Sequence, residues 1–106
     1  MTDPHIDFAH IPWEKPATGV AQKIYTDGKN RMRLLRFSDD FVEEEWCAKG
    51  HVGYVLDGEM DIDFNGTRQH YKKGDGLWIG KGEAARHKVM IERGKFIELI
   101  LFESEA

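Results

Sequence analysis

Short stretches of alternating apolar and polar residues recur along most of this chain, at 20–25, 32–37, 43–48, 52–56, 60–64, 67–71, 77–79, 87–91 and 96–102. Turn signals fall between them: Asp27-Gly28, Lys49-Gly50, Asp57-Gly58, Asn65-Gly66, Lys73-Gly74-Asp75-Gly76 and Arg93-Gly94. Even spacing of short apolar segments and turn residues predicts an all-β sandwich or barrel. The sharpest local pattern is Met60, Ile62 and Phe64 alternating with Asp61 and Asp63, a half-buried antiparallel strand with its acidic face to water. Its flanks, Asp57-Gly58 and Asn65-Gly66, are dipeptides that accept positive φ at both central positions, so each predicts a type I′ hairpin. No segment of 20–102 carries the helical apolar period; the nearest, 82–88, is short and begins at a glycine.

Residues 1–18 hold all three prolines, Pro4, Pro12 and Pro16, and no sustained period, which predicts an extended N-terminal arm ahead of a barrel domain at 19–106. Ile6, Phe8, Ile11 and Trp13 on such an arm need cover, either on their own barrel or on a second subunit, and this composition points to a homodimer.

Composition narrows the picture further. A chain of 106 residues is sized for one core, and 41% hydrophobic with 32% charged residues describes a globular domain rather than a disordered one. The net charge of −4 argues against a nucleic-acid partner, because the cluster at Lys29, Arg31 and Arg33 is outweighed by acidic runs such as Glu43-Glu44-Glu45. With Cys47 alone, no disulfide forms within the chain, and a reducing compartment follows as the simpler expectation. Neither a basic-then-apolar start nor a long apolar window occurs, so no membrane partner and a cytoplasmic location are expected. The glycines from Gly74 to Gly82 lack the Gly-Lys-Ser/Thr ending of a phosphate loop, and no Gly-x-Ser-x-Gly elbow occurs.

Two segments carry a family resemblance: Tyr54-Val55-Leu56-Asp57-Gly58-Glu59, and Gly74-Asp75-Gly76-Leu77-Trp78-Ile79-Gly80-Lys81-Gly82. Over residues 32–102 the chain resembles the cupin superfamily, which implies a single antiparallel double-sheet jelly-roll barrel. The family pattern places a His-x-His pair, a Glu and a further His inside the barrel, commonly around a divalent metal. Here His51 stands where the Glu falls, seven residues before Gly58, and Glu44 and Trp46, or Glu45 and Cys47, stand where the paired histidines fall. Gly80 replaces the usual Pro and Ala85 the last His, but His87 lies two residues on and shares the strand face of Ala85. The resemblance therefore implies a first shell of His51, His87, Glu45 and Cys47 holding zinc, iron or nickel. Strand alternation makes Glu45 with Cys47 one choice and Glu44 with Trp46 the other. Trp46, Tyr54, Trp78 and Tyr25, with Phe96, are the candidates for the pocket wall, while His70 should face outward and His5 and His10 belong to the arm.

Three functions fit these residues. The first is a metalloprotein that binds or transforms a small polar metabolite; isomerases, dioxygenases and decarboxylases all occur among cupins, and the residues do not choose among them. The second is a metal-free module that binds a small molecule through Trp46, Tyr54 and His51. The third, a dimeric structural protein with a packed core, ranks last because burying His51 and the acidic run without partners is costly.

Overall fold

The computed structural model describes residues 3–104. Within them lie eight strands and two single 3-10 turns, Phe8–His10 and Glu83–Ala85. The strands are β1 (Glu14–Ala17), β2 (Val20–Asp27), β3 (Asn30–Ser38), β4 (His51–Phe64), β5 (Thr67–Lys72), β6 (Gly76–Ile79), β7 (Lys88–Met90) and β8 (Phe96–Ser104). All pairings are antiparallel, in the order β1-β2-β3-β8-β4-β5, with β6 and β7 also bonded to β4. The architecture is all-β, a sheet curled around a single core. No helix among the described residues is long and apolar enough to cross a membrane.

β4 joins the two layers. Its first half lies between β8 and β6, and its second half between β5 and β7. The crossing occurs at Asp57-Gly58, where a hairpin was expected from the dipeptide. The strand instead runs on through a bulge, a register shift against β8 between Val55 and Asp57. Gly58 takes φ +78° there, and a Cβ on it would meet the Phe96 carbonyl oxygen at 2.0 Å. Bulges of this kind bend a strand sharply, which is how one segment serves both layers. At Asn65-Gly66 the expected hairpin does form, with φ of 53° and 105°, joining β4 to β5.

The 43–48 segment departs from its expected strand. Only one isolated bridge forms there, Cys47 opposite His87, and the rest is irregular. Three acidic residues in succession give no apolar face to bury, so nothing fixes a regular strand there.

Inward positions follow strict alternation. Leu35 and Phe37 of β3, Ile97, Leu99 and Leu101 of β8, and Val55 of β4 form the core with Met60, Ile62, Leu77 and Ile79. Val55, Ile62 and Ile97 are fully buried, each stabilising the fold by about 1.5–3 kcal/mol. On the opposite parity, Tyr25, Met32, Phe102, Val52 and Trp78 pair in register across five strands and form an apolar row on the outer face. The arm lies on its own barrel. Lys23 and Arg36 lie over the Trp13 ring, the Lys23 ammonium donates to the Phe8 carbonyl at 2.7 Å, and Ile6 lines an outer groove beside Tyr25 and Phe102.

Candidate metal centre

Alternation along three neighbouring strands turns polar near one end of the barrel. β8 continues Ile97, Leu99 and Leu101 with Glu103, and β3 precedes Leu35 and Phe37 with Arg31 and Arg33. His51 opens β4 on the same inward face as Val55 and beside Glu103. These charged positions and the core residues below them line one cavity of about 440 Å³, together with Cys47 and His87.

Cys47 and His87 arrive as a pair. Each donates its backbone N–H to the other's carbonyl at 2.9 Å, so they form a hydrogen-bonded antiparallel pair whose side chains share one face. Their neighbours point the other way: Arg86 and Lys88 both stack on Trp46, each 4.8 Å from its ring centroid. The choice left open between Cys47 and Trp46 is thus resolved with Cys47 toward the cavity.

The structure brings the donor atoms of Cys47, His51 and His87 within 4.8 Å of one another. Cys47 Sγ lies 3.7 Å from His51 Nε2, and the two imidazoles meet edge to face at 5.3 Å between centroids. His87 is only 3% exposed. Both rings have their tautomer fixed by acceptors that cannot donate: His51 Nδ1 donates to Glu103 Oε2 at 2.9 Å, and His87 Nδ1 donates to the Ala85 carbonyl at 3.1 Å. The neutral form of each ring therefore carries its lone pair on Nε2, and for His51 that is the nitrogen facing Cys47.

Glu103 organises the rear of the site. Burial alone would raise its carboxyl pKa, but the His51 hydrogen bond and the guanidinium groups of Arg33 and Arg31 outweigh that and hold it at about 2. Arg31 donates from Nε at 3.0 Å to one carboxylate oxygen, and Arg33 from an Nη at 3.1 Å to the other. Arg33 also donates to Gln22 at 3.3 Å, and its Nε is buried without a partner among the described residues.

Several expected residues lie elsewhere. Glu45 is exposed and outside the cavity, because the irregular segment does not carry strand alternation from Cys47 back to it. Glu43 lines the cavity instead, and its carboxylate accepts the Val89 N–H at 2.8 Å. Tyr54 and Trp78, 48% and 84% exposed, stand on the outer face, as does Tyr25, and Trp46 is held outside by its two cations. Phe96, 42% exposed, also faces out. His51 and Tyr54 are three positions apart on one strand, hence of opposite parity, which excludes both from one wall. Glu103, Arg31 and Arg33 were missed, although charges extending an inward apolar series were a readable signal. His70 faces outward as expected, bonded to Asp61 at 2.7 Å.

Compared by sequence, the chain matches no family model and none of the curated proteins. Its fold is similar to an RmlC-like cupin from Shewanella frigidimarina, at 16% identity over 99% of this chain and 93% of that one, with a TM-score of 0.77. The fold is a cupin fold. The polyketide cyclase RemF from Streptomyces resistomycificus is similar at 14% identity over 97% of this chain and 80% of that one, with a TM-score of 0.80. The Fe(II) form of HppE is similar at 14% identity and a TM-score of 0.71, over 96% of this chain and 61% of that one. On the cupin barrel described here, the candidate centre sits at the charged end of the inner face, with the apolar core beneath it.

Proposed function

We propose that this cupin barrel holds one divalent transition-metal ion between Cys47, His51 and His87 and takes a small polar molecule in the adjoining cavity. The observation that carries this reading is the convergence of three soft or borderline donors within 4.8 Å, with both imidazoles held through Nδ1 so that the neutral rings keep Nε2 for an ion. A carboxylate behind a ligating histidine is the usual outer partner in metal sites, and Glu103 stands in that position. HppE, of the same fold, is an Fe(II) protein by its description, which gives the barrel a metal-bearing counterpart.

A bound ion there supplies Lewis acidity toward an oxygen of the ligand. The chain's own residues do the rest: Leu35, Leu99 and Ile79 keep water from the inner wall, and Arg31 with Lys49 brings positive charge to the cavity lining.

Elemental analysis of protein purified without a chelating column tests this reading. We expect about one transition-metal ion per chain, lost in His51→Ala and His87→Ala. A folded protein that holds no metal and takes up no added zinc, iron or nickel would instead favour the metal-free binding module, for which the Cys47–His51 contact is a plain thiol–imidazole hydrogen bond.

A further inference from the structure

The cavity wall is charged oppositely to the chain as a whole. The formal net charge of the sequence is −4, yet three cations, Arg31, Arg33 and Lys49, line the cavity against two carboxylates, Glu43 and Glu103. Glu103 is already filled. Arg31 meets one of its oxygens from Nε at 3.0 Å and from an Nη at 2.8 Å, while Arg33 and His51 donate to the other. One carboxylate thus serves two guanidinium groups. The lysine ion pairs among the described residues are those of Lys72 and Lys95, so Lys49 has none.

Gln22 shows what kind of ligand such a wall recognises. It is only 9% exposed and pairs with the inward-facing Leu35. Arginine only donates, so it is the Gln22 oxygen that accepts from Arg33 at 3.3 Å, and the amide nitrogen is left without a partner among the described residues. The Nε hydrogen of Arg33 is likewise buried and unpartnered there. Outside the candidate metal ligands, the wall therefore presents free donors on Gln22, Arg31, Arg33 and Lys49. Its one unfilled carboxylate is Glu43, which accepts the Val89 N–H. A neutral, hydroxyl-rich molecule needs acceptors as well as donors, whereas a carboxylate only accepts. Buried donors and an unbalanced cation are costly when left alone, and an anion satisfies both. Away from the charged end the cavity runs over Leu35, Phe37, Leu77 and Leu99, and its volume of about 440 Å³ suits a small organic molecule. Inorganic phosphate would leave that apolar wall uncovered.

We propose that the ligand of this cavity is a small carboxylic acid with an apolar body, its carboxylate bridging Gln22 and Arg33 and its body lying on Leu35 and Leu99. Lys49 adds positive charge at the exposed rim. The proposal rests on the reading above for the cavity being a ligand site, and it adds the class of ligand.

Nuclear magnetic resonance titration of the isotope-labelled, chelator-treated full chain tests it, with isovalerate and phenylacetate as probes, each beside its neutral amide. The expected result is binding of each acid about 10-fold or more tighter than its amide, the ratio that charged hydrogen bonds give, with shifts at Gln22, Leu35 and Leu99. Gln22→Glu keeps an acceptor for Arg33 but sets a negative charge where the amide stood. It should abolish the preference for the acid and leave binding of the amide unchanged. Lys49→Gln should weaken both acids by about 2–5-fold. Equal binding of acid and amide, no binding of either acid, or tighter binding of inorganic phosphate than of the acids would overturn the proposal and leave the metal reading standing. Acid taken up only by the zinc-loaded chain, and unchanged in Gln22→Glu, would put the carboxylate on the ion and overturn it as well. A chain that binds no metal yet prefers the acid would uphold the proposal and remove the metal reading. The acid-to-amide ratio of the wild-type chain decides even where Gln22→Glu fails to fold.

Discussion

Glu103 is the residue on which the charged end of the barrel turns, since one carboxylate meets two guanidinium groups and orients a candidate ligand. Its side chain is only 10% exposed, so these contacts are little screened by solvent. With the folded carboxyl at about 2 and its ordinary value at 4.5, folded and unfolded chains are both ionised at neutral pH and the full stabilisation is present. As pH falls through 4.5 toward 2, the unfolded chain takes up a proton that the folded one refuses, and stability declines across that window. Urea unfolding of the chelator-treated protein at neutral pH and near pH 3 should show this decline, and Glu103→Gln should be less stable at neutral pH and flatter toward acid. The same variant should weaken metal binding by about 10–100-fold while the ligand atoms remain. An unchanged acid slope in Glu103→Gln would show that another group carries it.

At the scale of elements, β4 decides the architecture, and its bend depends on a backbone conformation that only glycine adopts cheaply. Gly58→Ala places a Cβ against the Phe96 carbonyl at positive φ, and should cost on the order of 3–4 kcal/mol by thermal or urea unfolding. Gly80→Ala has open space and no positive φ, and should stay within about 0.5 kcal/mol of the parent. Equal effects at the two positions would argue against the bulge. The strands from β2 onward were legible because alternation with period two and glycine turns are local signals, whereas β1, within the segment read as an extended arm, carries no such alternation and was not. Asp57-Gly58 misled because positive φ suits a bulge as well as a hairpin, and only the partner strand separates the two. The 43–48 segment misled because alternation was assumed where no apolar face enforces it. The convergence of Cys47 with His87 depends on one isolated bridge between distant segments, which no local pattern announces.

Across the whole molecule, the inner and outer faces are told apart by parity alone. Leu35, Leu99 and Val55 fix the inward set, and Tyr25, Tyr54 and Trp78 fall in the other, on the outer face. Charged residues on the inward parity, Arg31, Arg33 and Glu103, line the cavity beside Cys47, His51 and His87. The central claim is that a metal ion is bound where Cys47, His51 and His87 meet. Anomalous diffraction from crystals of the zinc-loaded protein, recorded on both sides of the zinc edge, tests it most directly. The account predicts a single strong peak among Cys47 Sγ, His51 Nε2 and the His87 ring; a barrel interior without a peak, or zinc confined to the outer cluster of His70, Asp61 and Glu59, would contradict it.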